Sequence, residues 1–367
     1  ATVSNDKFRA QLIAAATEIR QLAELTDQRF VLAESCTSGL AAASVGSQPG
    51  ISQFFCGSHV TYRNDSKSHW LNVQQHDLDT VGPVSSPVAK QMAEGALLRT
   101  PEAQLAVSIT GHLGPDAPDG LDGVVFLGVA IRLPDRIVVV SHRSVLPSAS
   151  RAERQQLATL ELLGTLRRVF QLLRATEAVC LESEPYVVIG DTSIETLLSG
   201  SFNPVHIGHF EMAEYVQKSL SKKVHFEISL ENVDKSELDQ TECLERALPI
   251  CLMYDIVLTR AKTFRQKARI FGKSCFLVGT DTIGRIAESR YYRDQNDRDE
   301  ALQELLELEV RFLVFGRTMD DSFSTSSEDQ LHYTRLEDMD LPASLLQICT
   351  SVDEEQFRQD VSSRDLR

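Results

Sequence analysis

The stretch that most restricts the fold is GSFNPVHIGH, Gly200 to His209, set between an apolar run, Ile194 to Leu198, and an amphipathic run, Phe210 to Leu220. The first run has the length and apolar density of a buried strand, and the second puts Met212, Ala213 and Val216 on one helical face. A strand, a tight glycine turn and a helix start are thus compressed into a few residues. The first amides of a helix have no internal partner and carry partial positive charge, so this arrangement makes an anion site. His206 and His209, three positions apart, project from one face of the helix start, and both can reach a cluster of oxygens. Phosphate is the guest that fits.

GSFNPVHIGH resembles the GxFxPxHxGH signature of the nucleotidyltransferase superfamily, which includes the mononucleotide adenylyltransferases of NAD synthesis. The resemblance implies that Gly200, Ser201, Phe202, Asn203 and Gly208 approach the nucleotide while His206 and His209 are catalytic. It also implies ATP as substrate, Mg²⁺ carried on the ATP phosphates, and a phosphorylated small molecule as acceptor. GTDTIG, Gly279 to Gly284, resembles the family's GxD element, which places Gly279 and Asp281 near the nucleotide. Lys235 and Arg246 stand where the family has cations that approach phosphate and substrate. VSSRDLR, Val361 to Arg367, resembles the second superfamily motif, ISSTxIR, and assigns Ser362, Ser363 and Arg367 to the triphosphate. In the family a helix follows that motif, and Arg364 takes its usual threonine position. The polar loop Ser289 to Glu300 reads either as a flap over substrate or as an exposed excursion.

Strand and helix patterns alternate from the glycine motif onward, which implies a doubly wound parallel sheet with its sites at the carboxyl ends of strands. The first half carries a second organised edge. A strand pattern at Phe30 to Ala33 runs into ESCTSGL, Glu34 to Leu40, and an alanine-rich helix. A serine there is either a helix cap or a nucleophile whose oxyanion is held by nearby helix amides. TYRNDSK (Thr61 to Lys67) and SITGHLGP (Ser108 to Pro115) each follow a strand pattern.

Together with PGISQFF (Pro49 to Phe55) and GPVSS (Gly82 to Ser86), these strings look like the C-terminal domain of CinA-type proteins, a family containing nicotinamide mononucleotide deamidases. An amide-hydrolysing serine needs a base, and a lysine serves when a dry site lowers its pKa. Lys67 is the candidate base, and the resemblance implies the same dyad with Ser35. Tyr62 and Asn64 would position substrate or lysine, and Thr110 and Gly111 would line the site opposite the serine. Ser38 replaces a glycine of the family's ESCTGG, His112 and Leu113 replace small or apolar residues, and Asp116 to Gly123 replaces a glycine-rich loop. Arg151 and Arg154 open a long amphipathic pattern, Ser150 to Leu173, where cations oppose the helix dipole. Either a bound anion or a solvated face explains them.

The expected architecture is two three-layer α/β domains, the second Rossmann-like: residues 1–177 deamidase-like, 178–186 an acidic linker, and 187–367 the nucleotidyltransferase. A chain of 367 residues suits two cores. A formal charge of −15 without a basic run argues against nucleic acid as partner. Seven scattered cysteines without a CxxC pair indicate neither a disulfide framework nor a metal site. No leader or membrane-length apolar run is read, so a cytoplasmic homo-oligomer is expected. The functional expectation is a bifunctional pyridine-nucleotide enzyme. The alternatives are a single-function nucleotidyltransferase whose first domain is inactive and used for assembly, and a nucleotide-binding regulator.

Overall fold

The computed structural model describes residues 2–181, 183–231, 237–319 and 332–358. The chain divides into two compact units, Ala1–Arg174 with Cys251–Met253, and Ala175–Ile250 with Tyr254–Arg367.

The first unit runs α1 (Thr2–Thr26), β1 (Phe30–Glu34), α2 (Leu40–Gly46), β2 (Phe55–Val60), α3 (Asn64–Leu71), α4 (Gln75–Thr80), α5 (Ser86–Arg99), β3 (Leu105–Gly111), β4 (Val124–Arg132), β5 (Ile137–Val145) and α6 (Arg151–Cys180). Its sheet has the order β2-β1-β3-β4-β5. The first three strands are parallel and the last two antiparallel. β1 is buried at every residue, as a central strand covered on both faces must be. Helix α5 lies close on the sheet because Gly128 in β4 has no side chain: a Cβ there would stand 2.2 Å from the Ala89 carbonyl oxygen. Val31, Ala33, Met92, Ala93, Leu97, Ala106 and Ala130 fill that layer.

The second unit runs β6 (Tyr186–Ile189), β7 (Thr196–Ser199), α7 (Ile207–Leu220), β8 (His225–Ser229), α8 (Gln240–Cys251), β9 (Asp255–Thr259), α9 (Phe264–Phe271), β10 (Cys275–Gly279), α10 (Thr280–Ala287), α11 (Gln295–Glu307), β11 (Arg311–Phe315), β12 (Arg317–Met319), β13 (His332–Thr334), α12 (Ala343–Leu346) and β14 (Cys349–Val352). The main sheet has the order β14-β11-β10-β7-β8-β9-β6. It is parallel except for β6, which pairs antiparallel with β9 at the edge. From β7 the chain builds outward through β8 and β9, then returns to lay β10, β11 and β14 on the other side. The order therefore reverses between β7 and β10, and that crevice is the topological switch point of the fold.

Three local expectations change. Helix α6 continues to Cys180, into the stretch whose composition reads as a linker. Tyr186–Ile189 is a strand with no preceding pattern to announce it. The polar stretch from Ser289 is a short 3-10 turn followed by α11, capped by the Asp294 carboxylate accepting from the Asp297 amide at 2.9 Å, so it is no open flap. Among the described residues no helix is long and apolar enough to cross a membrane.

Candidate functional site

Each unit gathers its motif residues at the carboxyl edge of its parallel strands. In the first unit this edge joins the ends of β1, β2 and β3: the Ser35 amide donates to the Ile109 carbonyl at 3.0 Å and the Thr61 amide to the Glu34 carbonyl at 2.8 Å. Ser35 is buried to 6% exposure and Lys67, on α3, to 2%. No hydrogen bond joins the two side chains, and no carboxylate pairs with Lys67 among the described residues. Burial pulls the Lys67 amine down to about 8, against an opposing influence of the Cys36 thiol. Cys36, next to the serine, is pushed up to about 12, chiefly by burial, and remains a protonated thiol. His112, at the end of β3, is held below its ordinary value by burial and by the charge of Lys67, which places it in the same neighbourhood.

The oxyanion donors expected at the start of α2 are already engaged. The fully buried Glu34 carboxylate accepts from the amides of Gly39 (3.0 Å), Ala41 (3.1 Å) and Ala42 (2.9 Å) and from the hydroxyls of Thr37 (2.7 Å) and Ser58 (3.0 Å). Glu34 thus anchors the helix start to the strand, and an oxyanion at Ser35 needs other donors. Thr110 is also committed: its hydroxyl, 1% exposed as a residue, donates to the Pro83 carbonyl at 2.7 Å, so it braces the edge instead of lining it. At Gly111 a Cβ would meet Cys36 Sγ at 3.2 Å, which makes that glycine a packing requirement. Asn64 opens α3 in an exposed position.

Both arginines at the start of α6 meet protein groups. Arg154 is buried and forms a two-pronged pair with Asp122, at 2.6 and 2.7 Å, which pins the loop that departs from the family pattern. Arg151 bridges the mouth of the site, donating to the Tyr62 hydroxyl at 3.0 Å and to the Gly114 carbonyl at 2.6 Å. Ser38 adopts the left-handed conformation, φ 53°, where the related motif has glycine.

In the second unit the glycine loop leaves β7 at the switch point. The Gly200 amide donates to the Glu227 carbonyl of β8 at 3.1 Å, and a Cβ on Gly200 would lie 2.9 Å from the Phe202 ring. Phe202 is 2% exposed and packs against Phe226 (centroids 5.3 Å) and edge-on to His209 (4.9 Å). It supports His209 through this edge-on contact. The His206 and His209 rings lie 3.7 Å apart. His209 Nδ1 accepts from the His206 amide at 3.2 Å, so Nε2 carries the proton and is free to donate. Burial, then the charges of His206 and Arg317, lower His209 to about 3, so the imidazole is neutral at pH 7. Gly208 is buried in the first turn of α7.

Arg246 does reach this loop, donating to the Ser201 carbonyl at 3.3 Å. Asn203 lies in the same loop. Gly279 ends β10 across the crevice, and Asp281 in the first turn of α10 pairs with Arg317 at 3.4 Å. Sequence reasoning passed over Arg317; its only local signal is that it follows a strand end, Phe315-Gly316. Lys235, Ser362, Ser363 and Arg367 lie outside the described residues. Among the described residues no group of three His, Cys, Asp or Glu side chains is placed to hold a metal ion.

Comparison with known proteins follows the same division. Residues 13–170 match the family model for the CinA C-terminal domain, and residues 197–367 match the cytidylyltransferase-like model. A putative competence-damage inducible protein of Streptococcus thermophilus is 36% identical over 154 residues, 42% of this chain and 35% of its own length. A CinA-like protein of Geobacter metallireducens is 43% identical over 116 residues, 31% of this chain and 28% of its own. The chain thus spans about a third of the length of these curated relatives. Among solved structures, the competence/damage inducible protein CihA of Agrobacterium tumefaciens is 32% identical with a TM-score of 0.40, covering 42% of this chain and 93% of that one. A CinA superfamily protein of Klebsiella pneumoniae is 22% identical with a TM-score of 0.40, covering 44% and 98%. By these matches the chain joins a CinA C-terminal domain, residues 13–170, to a cytidylyltransferase-like domain, residues 197–367.

Proposed function

We propose that the chain is a bifunctional enzyme acting on pyridine mononucleotides, hydrolysing a carboxamide in its first unit and transferring a nucleotidyl group in its second. The observation that carries the hydrolytic half is Lys67: a buried amine without a carboxylate partner, brought down to about 8, on the edge that also bears Ser35. Its neutral form takes the Ser35 hydroxyl proton as Oγ attacks the carboxamide carbon. The resulting ammonium returns that proton to nitrogen as the C–N bond breaks and ammonia leaves. Water then cleaves the serine ester, with Lys67 again the base. Arg151 at the mouth supplies positive charge for a substrate phosphate.

The transferase half rests on the glycine loop and the start of α7 lying at the switch point beside β10. An acceptor phosphate oxygen attacks the α-phosphorus of a nucleoside triphosphate, and the bond to the leaving pyrophosphate breaks. The protein's part is positioning and charge neutralisation. Neutral His209 donates through Nε2, and the first α7 amides face the phosphates. ATP is the nucleotide the motif resemblance favours, and CTP is its competitor under the family description.

The test incubates the full chain with nicotinamide mononucleotide and ATP, then separately with CTP, and follows ammonia and pyrophosphate independently. Ser35→Ala should abolish ammonia release alone, and His206→Ala pyrophosphate release alone. No ammonia, or release undiminished in Ser35→Ala, overturns the hydrolase. No pyrophosphate across a panel of phosphorylated acceptors overturns the transferase.

A further inference from the structure

Arg317 stands where three features of the second unit's strand edge meet. In the register of β10 with β11, Gly279 lies opposite Phe315, so the residues just beyond, Asp281 and Arg317, emerge side by side from adjacent strand ends. Their side chains form an ion pair at 3.4 Å, each about a third exposed. The guanidinium is also near enough to His209 for its charge to be felt there. Gly316 fixes the exit direction: a Cβ on it would strike the Tyr333 hydroxyl at 2.5 Å, so the chain turns directly from β11 into β12 with Arg317 first.

We propose that Arg317 is a phosphate-binding residue of the nucleotidyltransferase site, and that Asp281 holds it in place until the phosphates of an incoming nucleoside triphosphate displace the carboxylate. The inference rests on the transferase reading above. An ion pair this exposed is weak in water, whereas a triphosphate offers several oxygens that a guanidinium fork can meet with two parallel hydrogen bonds. The exchange also releases Asp281 from its partner at the moment the nucleotide arrives. Arg317 stands near the histidine pair, so its contribution should grow if charge develops on a phosphate held there.

The test is binding of ATP, CTP, AMP and adenosine to the full chain by calorimetry in Mg²⁺, for wild type, Arg317→Ala, Arg317→Lys and Asp281→Asn. Arg317→Ala should weaken the better-bound triphosphate about 10- to 100-fold, the loss of one or two charge-assisted hydrogen bonds. AMP should be affected less, and adenosine should stay within about twofold by the same reasoning, because it carries no phosphate for Arg317 to meet. Arg317→Lys, which keeps the charge and loses the fork, should fall between. Asp281→Asn should make the triphosphate advantage over adenosine larger. Triphosphate binding unchanged in Arg317→Ala refutes the proposal, as does an equal loss for triphosphate and adenosine with thermal unfolding unchanged. If Arg317→Ala unfolds, the ratio of triphosphate to adenosine affinity in Arg317→Lys decides alone, and an unchanged ratio refutes it. If the wild type binds neither ATP nor CTP, the transferase reading itself fails and the proposal falls with it.

Discussion

Replacing Lys67 by methionine should stabilise the first unit while removing its hydrolytic activity. The side chain is 2% exposed, and its amine drops from an ordinary 10.5 to about 8 because burial disfavours the charged form. At pH 7 the amine is protonated in both folded and unfolded states, and the folded state carries the whole cost of holding it out of water. A difference of about 2.5 units at 1.36 kcal/mol each sets that cost at roughly 3 kcal/mol, and an imperfect fit of methionine brings the expected gain to about 2 kcal/mol. The sign with pH follows from the same two values. The unfolded chain releases its proton only near 10.5, so the penalty is complete below pH 8, shrinks between 8 and 10.5, and vanishes above. Calorimetric unfolding of wild type and Lys67→Met at pH 7 and pH 10 reads this directly. A stabilisation at pH 7 that collapses at pH 10 is the expected pattern. Equal stability of the two proteins at pH 7, or a gain that persists undiminished at pH 10, would show that Lys67 is not a desolvated amine, and the base assigned to Ser35 would fall with it.

The same titration predicts that kcat/KM for amide hydrolysis rises about tenfold per pH unit up to about pH 8 and then levels, measured by ammonia release. Ser38→Gly relieves the left-handed strain at φ 53° and should raise stability by about 0.5–1 kcal/mol after the added unfolded-state entropy of glycine is counted, read as an upward shift in Tm. His142, lowered to about 4, and His209, lowered to about 3, both mainly by burial, bind protons in the unfolded chain below pH 6.5 but not in the folded one. Each unit should therefore lose roughly 1–2 kcal/mol of stability between pH 7 and pH 5, and His209→Phe should flatten that slope in the second unit alone. Lys267 pairs with the fully buried Glu227 at 2.6 Å, so Lys267→Met should cost about 3–5 kcal/mol in urea unfolding and the double variant with Glu227→Leu should recover most of it.

What could be read from the residues, and what could not, follows the range of the interactions concerned. The glycine loop, its histidines and the serine turn announce themselves because strand, turn and helix start are contiguous in sequence, so one short window contains the whole strand-turn-helix element. The parallel alternation behind them was equally legible, since each buried strand carries its own apolar run. The α11 helix was readable in principle from Ala301, Leu302 and Leu305 at helical spacing, but the charged residues before it dominate the window and suggest a loop. Glu34 and Arg317 were not legible, for a different reason. Glu34 looks like a polar strand end until the chain turns back and brings the Gly39, Ala41 and Ala42 amides onto its carboxylate. Arg317 gains its neighbour only through the pairing of β10 with β11, which sets Gly279 opposite Phe315 across a long stretch of intervening chain. The two resemblances located the sites by their local strings, whereas the groups that set charge at those sites came from register. This is why Thr110 and Phe202, named from motif position, show only local protein contacts, while the cation beside the histidine pair came from a strand end that carries no motif at all.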